Sequence, residues 1–186
     1  TWAIWQFSDG RFGTPSVVPG VGHVDINTVH KMYPWARVPA LRIPAKHKKQ
    51  PTPKPVKKEG DIARLLRIAK GQVGYHEGRT NGVWNNVQKF SKQVPTLHWS
   101  DGQPWCCTFV SWCAMKADLA ALFPCTASTD AAAAWWKARK QWHEYPAVGA
   151  QVLYGHDGNM DHTGLVYAYE DDYIYTVEGN TNTNGS

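Results

Sequence analysis

A cysteine at the start of a helical pattern, a histidine on a strand pattern, and an acid and an amide on the next strand are the side chains in this 186-residue chain suited to nucleophilic chemistry. Pro104 precedes Cys106, Phe109, Val110 and Cys113, whose i, i+3, i+4, i+7 spacing predicts a helix starting near Trp105. A thiol in that first turn meets unpaired N–H groups and the positive end of the macrodipole, which favour a thiolate. Cys106 shares a face with Phe109, Val110 and Cys113, so burial as an inert structural cysteine is the competing reading. Cys107 projects about 100° further round the helix, away from a partner that Cys106 reaches.

A thiolate nucleophile requires a base within hydrogen-bond reach and a third group to orient it. His162 opens the pattern DHTGLVYAYE, and Glu178 and Asn180 close YIYTVEGN. Residues two apart on a strand share a face, so Glu178 and Asn180 point the same way. With Glu170, Asp171 and Asp172 as the hairpin loop, Tyr169 faces Tyr173. His162 then lies opposite Asn180, with Glu178 diagonal to it on the same face. A slip of one residue separates the pair onto opposite faces, which makes register the test. Taken singly, His162 is an ordinary polar strand residue, and Glu178 and Asn180 belong to a strand end leading into a turn.

The elements that must hold these residues follow from periodicity. Asp61 is read as an N-cap, followed by Ile62, Leu65, Leu66 and Ala69 at helical spacing and by Gly71 at the stop. A second helix is expected over 84–92, a third from Trp105, and a fourth over 128–140. After Pro146 the segments GAQVLYG, HTGLVYAYE and YIYTVEGN alternate as strands. Helices followed by a run of antiparallel strands give an α+β domain, with the helices packed on the sheet.

Three zones separate along the chain: 1–38, 39–60 and 61–186. The first reads as a strand followed by a long, Gly- and Pro-rich loop, non-globular because it is too short to bury a core of its own. The second carries Pro44, Pro51, Pro53 and Pro55 among its lysines and reads as an extended linker. Seven Lys and Arg against Glu59 lie in residues 42–60 of a chain with net charge +5, so the rest is close to neutral. A folded basic surface for nucleic acid is therefore not expected. The chain has no apolar run long enough to insert in a membrane and no signal peptide, and it begins in mid-pattern like a piece of a longer protein. The four cysteines lack paired C-x-x-C spacing. No histidine pair has ligand spacing and no acidic calcium loop is evident, so neither a metal nor another cofactor is expected.

PWCCTFVSWCA resembles the nucleophile helix of CHAP domains, the cysteine, histidine-dependent amidohydrolases/peptidases. DHTGLV resembles their histidine strand and VEGN the strand carrying an acid and an asparagine. GYHEGRTN and PAVGAQVLY extend the resemblance over most of 61–186. It implies a papain-like fold with Cys106 as nucleophile, His162 as general base, Glu178 orienting the imidazolium and Asn180 assisting. It implies bacterial peptidoglycan as substrate, cleaved at an amide bond by an amidase or endopeptidase that is expected to be a monomer. By analogy with papain-like enzymes Gln103 supplies an oxyanion donor or else is an ordinary loop glutamine, and Trp105 and Trp99 line a substrate groove or else pack in the core. The sequence departs from the family at Cys107, in place of a small residue, and at Gly149-Ala150, in place of Gly-Asp. It also stops at Ser186, short of the family's further strands, which reads as a C-terminal truncation.

AIWQFSDG and VPGVGHVDIN resemble the last barrel strand and closing loop of Chalaropsis-type muramidases, with Asp25 at an active-site aspartate. The paired acids that such glycosidases need are missing, so no muramidase activity is expected. The resemblance implies a two-enzyme lysin of phage-endolysin type, either phage-encoded or secreted, acting on the cell wall. Two readings remain beside it: a papain-like cysteine hydrolase acting on protein, and a non-catalytic wall-binding module.

Overall fold

A computed structural model describes residues 4–7, 23–31, 60–156, 159–170 and 173–181. The expected Lys/Pro linker and most of the expected muramidase-like segment lie outside these residues. Helices are combined with a mainly antiparallel sheet, the α+β class anticipated from the sequence, although two strands of the sheet precede the first helix in the chain.

Helix α1 spans Asp61–Lys70 and buries Leu65, Leu66 and Ala69, the apolar stripe its spacing requires. Its N-cap is Gly60 rather than Asp61, which stands one residue inside and pairs with Arg64 at 3.0 Å. The expected second helix is shorter than its pattern. Residues Arg79–Thr80 (β3) and Val83–Trp84 (β4) pair as a small ribbon, and α2 covers only Lys89–Gln93. Asn86 in between has φ 59°, a left-handed conformation that asparagine tolerates and a helix does not. Gln88 then caps α2 by accepting from the N–H groups of Phe90 and Ser91. A 3-10 helix over Pro95–Ser100 leads to α3, Cys106–Lys116, and α4 follows at Thr129–Ala138, capped by Ser128.

The sheet has the order β2-β8-β7-β6-β1-β5. Its strands are β1 (Ile4–Phe7), β2 (His23–Lys31), β5 (Trp142–His143), β6 (Gln151–His156), β7 (Asn159–Tyr169) and β8 (Tyr173–Thr181). β6, β7 and β8 are antiparallel neighbours, as expected. β2 pairs antiparallel with β8, and β1 pairs parallel with β6 and β5. The sequence placed a loop at 23–31 within a non-globular segment, and the structure has a strand there instead. The alternating HVDIN pattern is itself compatible with a ladder partner. β1 is the strand that its apolar alternation indicated.

Helix α3 is buried from Cys106 to Ala114 and packs against β7 and β8 on one side and α1 and α2 on the other. An aromatic cluster of Tyr75, Phe90, Trp105, Phe109 and Trp112 fills the space between these helices. The sheet offers Leu153, Leu165 and Val177 to the same core. Gly179 lets the helix come close. A Cβ there would lie 2.6 Å from the Trp105 ring and 2.8 Å from that of Phe109.

Candidate active site

Cys106 is the first residue of α3, and Trp105 before it supplies no capping side chain. The first-turn N–H groups are therefore uncapped, and no acidic residue stands in that turn to offset their partial positive charge. What fixes this end of the helix is Trp105, which is fully buried and donates its indole N–H to the carboxylate of Glu77. The other oxygen of Glu77 accepts the backbone N–H of Asn86 at 2.8 Å, so this buried acid braces the entry to the helix. Trp105 has no open face for a substrate, which corrects the expectation that it lines a groove. Core packing accounts for it. Trp99, by contrast, is 70% exposed. Gln103 is exposed on the turn into α3, its backbone N–H held by Ser100.

β7 and β8 bring His162 and Glu178 together. Their register sets Gly164 opposite Glu178, the alignment that the hairpin reading required. The tip differs: Tyr169 faces Ile174 rather than Tyr173, and a bulge between Val166 and Ala168 absorbs the offset of one residue. Nε2 of His162 lies 2.9 Å from Oε2 of Glu178. Gly164 is what allows this, because a Cβ there would lie 2.4 Å from Cγ of Glu178.

Glu178 is 2% exposed, so its charge requires compensation from inside the protein. Besides His162, the hydroxyl of Tyr154 donates to its Oε1 at 2.7 Å and that of Thr176 at 2.6 Å. Tyr154 stands opposite His162 on β6, the two rings 5.8 Å apart and 20° from parallel. Burial alone would lower the pKa of His162. Hydrogen bonds to Cys106 and Glu178, together with their charges, outweigh it and push the imidazole up to about 10. The imidazole that faces Glu178 is thereby favoured in its protonated form.

Asn180 has φ 58°, and its Oδ1 is buried with no hydrogen-bond partner. The amide oxygen is thus not among the contacts that link Cys106, His162 and Glu178. Cys107 turns away, as its helical angle demanded. Its sulfur lies 3.5 Å from the carbonyl of Ser128 and 3.9 Å from Nε2 of Gln151, and burial raises its pKa well above the ordinary thiol value. The sequence reading missed Tyr154, Thr176 and Gly164. The strand alternation that put Glu178 on the site face also puts Thr176 there. Tyr154 required the register of a third strand, for which the Asp157-Gly158 pair between β6 and β7 was the available hairpin signal. No group of His, Cys, Asp and Glu suited to a metal ion, and no helix long and apolar enough to cross a membrane, occurs among the described residues.

The family model of the CHAP domain matches residues 98–180, a segment that contains Cys106, His162, Glu178 and Asn180. No curated protein and no solved structure matches the chain.

Proposed function

We propose that this chain hydrolyses an amide bond of bacterial peptidoglycan by covalent catalysis through Cys106. The observation that carries the reading is the linked set Cys106–His162–Glu178, set at a helix N-terminus within the segment matched by the CHAP domain, whose members are amidase- or peptidase-type hydrolases. With the proton on His162, the sulfur attacks the carbonyl carbon as a thiolate and forms a tetrahedral oxyanion. The uncapped backbone N–H of Cys106 supports that oxyanion, with Gln103 as the candidate second donor. Collapse of the intermediate breaks the C–N bond, and the leaving amine takes the proton from His162. Neutral His162 then removes a proton from water, which attacks the thioester and releases the acid and the sulfur. Glu178 keeps the imidazole oriented and balances its charge through both steps, and Asn180 assists from the end of β8.

The bond cut is the N-acetylmuramoyl–L-alanine amide or a bond of the stem peptide or cross-bridge. The muramidase-like residues of the first zone support a setting in a two-enzyme lysin of phage type, acting on the wall as a monomer and not on nucleic acid. The test is product analysis of purified peptidoglycan digested by this chain beside Cys106→Ala. New amino groups without new reducing ends, absent with the variant, are expected, and fragment masses name the bond. Products formed equally by the variant would remove Cys106 from the chemistry. Binding of the wall without products from either protein would favour a binding module.

A further inference from the structure

Glu178 divides its two oxygens unequally. Oε2 faces Nε2 of His162 at 2.9 Å, whereas Oε1 accepts both the Tyr154 and Thr176 hydroxyls at 2.7 and 2.6 Å. Tyr154 occupies a second position of consequence, since its ring is nearly parallel to the imidazole it faces across β6 and β7. Burial first, and then the negative charge of Glu178, raise the phenol well above its ordinary pKa, so its hydroxyl remains a donor.

We propose that Tyr154 is a positioning residue of this site, its hydroxyl drawing the charge of Glu178 toward Oε1 while its ring keeps the imidazole in plane. The proposal rests on the catalytic reading above and extends it to a residue outside the nucleophile, base and acid. Hydrogen bonds to a carboxylate compete for one charge, and each donor weakens what remains for the others. Without Tyr154 a larger share of the charge of Glu178 would fall on His162. The imidazolium would then surrender its proton to the leaving amine more slowly. The titratable groups acting on His162 among the described residues are Cys106 from α3 and Glu178 from β8, with Tyr154 of β6 acting through Glu178. Thr176 is the reserve: with Tyr154 removed, its hydroxyl still holds Oε1 and keeps the carboxylate in place.

The test is Tyr154→Phe in the full chain, which keeps the ring and removes only the donor. His162 is titrated by NMR of its imidazole, and kcat and KM are measured on soluble peptidoglycan fragments. The expected result is a His162 titration moved up by about half to one pH unit, with kcat lowered roughly threefold to tenfold and KM unchanged. In Tyr154→Phe/Thr176→Val the carboxylate loses both anchors, and the His162 titration should instead fall below the parental value. A titration in Tyr154→Phe equal to or below that of the parent would overturn the proposal. If the parent proved inactive on peptidoglycan while the upward shift appeared, the functional reading would fail and the role of Tyr154 would stand.

Discussion

Gly164→Ala is the sharpest perturbation the site permits, because it adds one methyl group directly against Glu178. The new Cβ would lie 2.4 Å from Cγ and 3.3 Å from Cδ of Glu178, and 3.0 Å from the carbonyl oxygen of Val177. Carbon atoms rest at about 3.5–4.0 Å, so the side chain of Glu178 must retreat by about 1 Å or more. The bond to His162 measures 2.9 Å, and a retreat of that size takes it past the limit for a hydrogen bond. Misplacement of a catalytic group by about 1 Å costs on the order of 10²-fold in rate. The strain of the added methyl should lower stability by about 1–3 kcal/mol. Release of amino groups from peptidoglycan gives the rate, urea unfolding gives the stability, and the His162 titration reports whether the bond has been lost. In a Glu178→Gln background the same methyl should cost much less additional activity, since the two changes attack one interaction. A Gly164→Ala protein with parental turnover and a parental His162 titration would refute the reasoning.

Further outcomes follow from the same contacts. Because His162 is raised from an unfolded value near 6.5 to about 10, its contribution to stability is complete below pH 6.5 and is lost as pH rises through 10. Unfolding midpoints should therefore decline over that window, and the decline should flatten in Glu178→Gln, where a parental slope would contradict the assignment. Gly179→Ala drives a methyl into two rigid rings, and its expected cost of about 1–3 kcal/mol should appear as a lowered urea midpoint. Cys125 is the exposed thiol, whereas Cys107 and Cys113 are buried with pKa values raised by burial. A maleimide should thus label Cys125 in the native protein and leave Cys107 and Cys113 until denaturant is added, as peptide mass mapping can check.

Much of this arrangement was legible in the sequence because it depends on short periodicities. The i, i+4 spacing around Cys106 located α3, and alternation along β7 and β8 placed His162 and Glu178 on one face. Elements set by longer-range partners were less visible. The run at 84–88 reads as helix until the hydrogen bonds of Asn86 to Glu77 and of Gln88 to Asp101 draw it into an extended path. Trp105 offered equal grounds for a surface or a core role, and only the position of Glu77 decides between them. The Asp157-Gly158 pair signals the β6–β7 hairpin, but the shift between Tyr154 and Gly155 that sets Tyr154 opposite His162 does not follow from that signal.

The bulge between Val166 and Ala168 separates the hairpin into two lengths with different obligations. Below it, alignment is held by Gly164 against Glu178 and by the packing of Leu165 and Val177. Above it, Ala168 pairs with Tyr175 and Tyr169 with Ile174 in the shifted register. Changes in tip length can be taken up above the bulge without passing down the ladder to His162. The tip is accordingly the place where foreign peptide can be inserted with His162 and Glu178 left in register.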